Sequence, residues 1–263
     1  MTIRNASATL APLLERLELE QPRVVSRNDL ELWSREAGIE WPIRVVYQRL
    51  RQKGWLLDLK TRGVWEFAPA ARAGAYGSGD PLIELRATLH KDPTAPFSVG
   101  AESAAYLLGY AGRRPAVEVI AVPPTVRVPP ALRDYRLARW NAHDTPQSRD
   151  GLPVWSASTL LAFMAARPAA YHDWPNVGEW LRAAAADASE DSLKSELAER
   201  PRSAWARAAY LLARAGRRDA AEALIAAAPP GRGPYYLGDR SRPGNRDPVF
   251  DVVDSTGFEV TPT

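Results

Sequence analysis

The N-terminal quarter of the chain is punctuated so densely that few folds can accept it. Helix stops and starts follow one another at Gln21-Pro22, at Ser26 with Asp29 three residues on, and at Gly38, Pro42 and Gly54. Proline and glycine limit where a helix can run, and a serine followed three residues later by an acid marks where one begins. Between these marks the apolar residues keep helical spacing. Leu10, Leu13, Leu14 and Leu17 share one face of a helix predicted from Arg4 to Leu19. A short second helix starts at Ser26, turns Leu30, Trp33 and Ala37 inward and closes at Gly38. A third opens with Pro42 in the first helical position and ends at Gly54. Two β-prone runs follow, Trp55–Leu59 and Val64–Phe67, separated by the polar turn Lys60-Thr61-Arg62-Gly63. Three helices and then a hairpin is the element order of a winged helix-turn-helix.

That segment also concentrates positive charge. The whole chain carries a net charge of only +3. Between Trp41 and Val64, however, Arg44, Arg49, Arg51, Lys53, Lys60 and Arg62 face Asp58 alone, a local net of +5. Local basic clustering is the footprint of a nucleic-acid surface. At 100° per residue, Ile43, Val46, Tyr47 and Leu50 share the inward face of the third helix. Arg44, Gln48, Arg51 and Gln52 lie opposite, with Arg49 on the flank. Arginine pairs bidentately with guanine and glutamine with adenine, each good pair discriminating by roughly 1–3 kcal/mol. Lys60 and Arg62 at the hairpin tip are placed for phosphates or the minor groove, and Arg27, just after the Ser26 cap, for a phosphate at a helix N-terminus. Taken alone, a basic outer face on an amphipathic helix is usually a solvated face. The ordered helices, hairpin and cationic tip together favour DNA binding. Trp33 and Tyr47 are expected in the core, and Trp55 and Trp65 as apolar anchors of the wing.

The remainder reads as a second domain, so that residues 1–69 and 80–263 flank a small, glycine-rich linker between Ala70 and Gly79. Asp80-Pro81 starts a helix carrying Leu82, Leu85 and Leu89, assigned here to the second domain. Phe97–Val99, Val117–Val122, Val126–Val128 and Tyr135–Trp140 are predicted strands, with a helix over Glu102–Leu108, so this part is mixed α/β to about residue 150. From Ser156 to about residue 228 the pattern is mainly helical, ending in a pair over Pro201–Ala215 and Arg218–Ala227. Pro229 to Arg246 reads as irregular, and Val249–Val253 as an edge strand. The predicted fold class is α+β.

Several chemistries find no footing. The chain has no cysteine and three histidines (His90, His143 and His172), far apart, so no disulfide or metal site is expected. Neither a G-x-S-x-G elbow nor a P-loop is present. Gly77-Ser78 opens like a nucleotidyltransferase motif, but Pro93-Thr94 after Asp92 supplies no second carboxylate, and the pair reads as linker. His143-Asp144 reads as a polar loop, and Asp187, Glu190 and Asp191 as acids drawn to a helix N-terminus. No enzyme, cofactor or signal peptide is expected. No apolar run approaches the ~20 residues of a membrane span, and a cytoplasmic protein is the expectation.

Four stretches in order, Gly54-Trp55-Leu56, Arg62–Pro69 (RGVWEFAP), Asp80–Arg86 (DPLIELR) and Ser98–Tyr110 (SVGAESAAYLLGY), resemble the AbiEi family, antitoxins of bacterial type IV toxin–antitoxin systems. Ser203–Leu212 (SAWARAAYLL) is similar to the C-terminal segment of its actinobacterial branch. The resemblance runs to about Asp254 and includes no catalytic motif. It implies a winged helix-turn-helix that represses its own operon and a C-terminal domain that counteracts a nucleotidyltransferase-like toxin. Residues carried over are Arg44, Gln48, Arg51, Lys60 and Arg62. Operator binding through two half-sites implies dimers or paired monomers on an inverted repeat. Arg207, Arg214, Arg217 and Arg218 are candidates for an acidic partner, although a solvated helix face is the simpler explanation of them. Two other function classes stay open to the sequence: a ligand-responsive winged-helix regulator, and a protein-docking module that does not bind DNA.

Overall fold

A computed structural model describes residues 8–71 and 76–260. The predicted helical residues 4–7 lie outside them. The chain divides into two compact units, Met1–Ala95 with Arg127–Asp134, and Pro96–Val126 with Tyr135–Thr263.

In the first unit α1 (Ala11–Glu20) follows a 3-10 turn, and β1 (Val24–Ser26) leads into α2 (Arg27–Glu36). Ser26 Oγ accepts from the Asp29 amide at 3.2 Å while the Asp29 carboxylate accepts from the Ser26 amide at 2.7 Å, a reciprocal capping box. After α3 (Ile43–Gln52) come β2 (Leu56–Asp58) and β3 (Val64–Phe67). The sheet order is β1–β3–β2, all antiparallel, with Val25 opposite Trp65 and Leu57 opposite Glu66. Gly63 closes the β2–β3 turn at φ +79°, a conformation that costs other residues a Cβ clash. This order and pairing are compatible with a winged helix-turn-helix. Leu13, Leu17, Leu30, Val46 and Leu50 meet inside, each at most 1% exposed, and each such burial contributes roughly 1.5–3 kcal/mol. Tyr47 stacks on Trp65 at 5.1 Å and Trp55 on Phe67 at 6.4 Å, so the expected wing anchors are core residues.

One assignment changes. α4 (Ile83–Lys91), expected in the second domain, belongs to the first unit and packs on β1 and β3, with Ala87 buried against Val24 and Val64. The boundary between the units therefore does not fall at the predicted linker, of which residues 72–75 lie outside the described residues.

The second unit is built on a five-stranded mixed sheet, β6–β5–β4–β8–β7. Its strands are β4 (Ser98–Val99), β5 (Val119–Val122), β6 (Arg136–Arg139), β7 (Gln147–Arg149) and β8 (Leu152–Val154). β5 is buried along its whole length, as an apolar run covered on both faces should be. The β7–β8 hairpin, which the sequence reading missed, turns on Asp150 and Gly151, both at positive φ, as a two-residue turn between twisted strands requires. Val126–Val128 is not a strand. The prolines flanking it (Pro123, Pro124, Pro129 and Pro130) remove the amides a ladder needs.

Helices follow as predicted: α5 (Ala101–Leu107) beside β5, then α6 (Ala157–Ala166), α7 (Val177–Asp187), α8 (Glu190–Leu197), α9 (Arg202–Arg214) and α10 (Arg218–Ala226). α6 is apolar on every side and buried along almost its whole length, with α7, α8 and α9 around it. Glu196, fully buried on α8, accepts from Trp140 Nε1, the His143 and Asp144 amides and Thr159 Oγ1 at 2.8–2.9 Å. Four donors satisfy a charge that would otherwise be costly to bury. The tail is not irregular: β9 (Tyr235–Leu237), β10 (Asn245–Asp247) and β11 (Val252–Asp254) form a small sheet in the order β10–β11–β9, so the expected edge strand is the central one.

Candidate nucleic-acid interface

The outward residues of α3 and the tip of the β2–β3 hairpin form the candidate surface. Val46 and Leu50 anchor the helix, which leaves Arg44, Arg51 and Gln52 exposed and Gln48 half-buried. Arg49 is exposed on the flank, its guanidinium 4.2 Å from the centroid of the Trp41 ring. Arg27 is exposed at the start of α2 and pairs with Glu31 one turn on, at 2.7 Å. Lys60 and Arg62 are both exposed in the hairpin turn. The expected residues of α3 and the wing therefore lie at the surface of one unit.

The surroundings of these cations were not legible in advance. Arg51 is ion-paired with Asp58 at the end of β2. Lys60 is ion-paired with Asp134, far along the chain, and that hydrogen bond raises the lysine pKa. The turn itself is clasped by α4. Glu84 accepts from the Lys60 amide at 2.6 Å, and from the Thr61 amide and hydroxyl at 3.1 and 2.9 Å. Lys91 Nζ donates to the Arg62 carbonyl at 2.8 Å, and Thr61, buried, lies 3.3 Å from Thr88 Oγ1. His90 lies 2.6 Å from the Asp29 carboxylate. Burial raises the Asp29 pKa, but the bonds from Ser26 and His90 outweigh it and hold the carboxyl below its ordinary range. Asp80-Pro81 had announced α4; nothing local announced what α4 holds.

The second set of candidates is mostly spent inside the fold. Arg207 is buried and donates to the Ala165 carbonyl at 2.8 Å, near the end of α6. Arg214 lies over the Tyr210 and Phe258 rings and donates to the Tyr210 hydroxyl at 2.8 Å. Arg217 ties the Ala185 and Ala188 carbonyls to Glu190. Arg218 alone is exposed, paired with Glu222. The acidic trio also separates: Glu190 and Asp191 do sit in the first turn of α8, whereas Asp187 ends α7 and accepts from Tyr110. Among the described residues no cluster of His, Asp and Glu could hold a metal, and no helix is long and apolar enough to cross a membrane.

No curated protein matches the chain. Among solved structures, the crystal structure of the RV2827C protein from Mycobacterium tuberculosis is 30% identical, with a TM-score of 0.78 over 96% of this chain and 93% of that one. Residues 97–214, which span the five-stranded sheet and α5 to α9, match the AbiEi antitoxin C-terminal domain. The chain belongs to the AbiEi family of antitoxins.

Proposed function

We propose that the first unit binds operator DNA and represses the operon that encodes it, while the second counteracts a nucleotidyltransferase-like toxin. The observation that carries the DNA reading is the exposed set Arg44, Arg51, Gln52, Lys60 and Arg62 on one helix and one hairpin tip. α3 supplies side chains suited to base edges, and the wing supplies cations for the backbone. Gln48, Arg49 and Arg27 extend the same surface. Operator binding needs the compartment that holds the chromosome, so on this reading the protein works in the cytoplasm. Of the second set of arginines, Arg218 is the one exposed enough to meet a partner.

The test is a gel-shift titration of the full chain with its own upstream DNA and with scrambled DNA of equal length, at two salt concentrations. Tight, selective and salt-sensitive binding is expected, because phosphate contacts release counterions. Binding equal on both DNAs, or none, would overturn the repressor reading and leave α3 and the wing as a protein-docking surface.

A further inference from the structure

The cations of the candidate interface fall into two groups. Arg44 and Arg62 have no carboxylate partner among the described residues, whereas Arg51 is held by Asp58 and Lys60 by Asp134. Both pairs stand in solvent, with side-chain exposures of 40% and 61% for the first and 56% and 69% for the second. A carboxylate at ion-pair distance offers a cation what a phosphate offers: a negative charge and two acceptor oxygens. A phosphate or a base edge that approaches either cation must compete with the aspartate already bonded to it.

We infer that Asp58 and Asp134 are internal competitors for the nucleic acid and set the affinity of the interface. This rests on the DNA-binding reading above. Two observations shape it. First, the wing can exchange partners without being rebuilt. Glu84 and Lys91 hold the backbone of the turn at Lys60, Thr61 and Arg62, so release of Asp134 frees a side chain and leaves the turn in place. Second, the competitor of Lys60 is not local. Asp134 ends the segment 127–134, which folds with the first unit although it lies in sequence between β5 and β6 of the second. A count over residues 41–64 therefore overstates the positive charge offered to DNA, because it omits Asp134. Exposed pairs of this kind are weak, so each aspartate lowers affinity by a small factor and does not block binding.

The experiment is a fluorescence-anisotropy titration of the full chain with its own upstream DNA at two salt concentrations. Asp58→Asn and Asp134→Asn are each compared with Glu15→Gln, which removes one exposed carboxylate from α1 that belongs to neither pair. Circular dichroism and Tm confirm that each variant is folded. Asp58→Asn and Asp134→Asn should each tighten binding roughly two- to fivefold beyond the Glu15→Gln control. The gain of Asp134→Asn should vanish in a Lys60→Met background, since there is then no cation to release. Gains no larger than the control, or a gain that persists without Lys60, would overturn the inference and leave the DNA reading standing. Folded protein that binds no DNA in any variant, wild type included, would overturn both.

Discussion

Ser26 and Asp29 show how much one short stretch decides. Their reciprocal bonds start α2 at a defined residue, and His90 on α4 lies at hydrogen-bond distance from the same carboxylate. Replacing Ser26 with Ala removes the acceptor for an otherwise unpaired helix amide. It should lower unfolding stability by about 1 kcal/mol in a denaturant titration, with no change in slope. The same site predicts an acid limb. The Asp29 pKa in the fold lies below its ordinary value of 3.8. Its contribution is therefore complete above that value and is lost as pH falls through the lower, folded value. Stability of an Asp29→Asn variant should depend less on pH than wild type below about pH 4; parallel curves would show that Asp29 contributes nothing to acid unfolding.

Among the elements, α4 carries the least expected role. Its Glu84 takes three donors from the wing turn, two of them backbone amides. Glu84→Gln keeps the shape but loses the charge and one acceptor oxygen. Amide exchange at Lys60 and Thr61 should accelerate about tenfold, while the amides of α1 stay protected. Equal protection in both proteins would mean that the turn holds itself. The helices of this unit were legible because capping and periodicity are local signals, and the hairpin because a polar, glycine-containing turn separates its β-prone runs. β1 was not: three residues long, it is a strand only because Val64–Glu66 pair with it from forty residues on. The tail sheet was hidden for the same reason, short strands amid Gly and Pro whose pairing is not local. In α9 the periodic rule failed differently. The helix is buried from Ala204 to Leu212, so Arg207 lies in the interior although it alternates with apolar residues as a surface arginine would. At the candidate interface, sequence found the cations by type and spacing. Their partners Asp134 and Glu84 lie 74 and 24 positions from Lys60, beyond any local pattern.

At the scale of the whole molecule, the first unit has a hydrophobic core of its own, and this makes the two proposed activities separable by mutation. The core that holds α3 and the wing is drawn entirely from residues 10–67. Arg44→Ala with Arg62→Ala touches only exposed side chains of that unit, so the second should stay folded. In cells carrying the proposed toxin, this double variant should lose repression of an operon reporter and still protect growth. Glu196→Ala is the reciprocal lesion. It leaves two side-chain donors and two backbone amides of the second unit without their acceptor, which should destabilise that unit by ~3 kcal/mol or more. Protection should fail while the purified protein still shifts operator DNA. If the arginine variant loses protection as well, neutralisation works through DNA, since the substituted side chains belong to the first unit. If the Glu196 variant loses DNA binding while its first unit keeps native amide protection, then α3 and the wing suffice for folding but not for recognition, and the operator contact extends onto the antitoxin domain.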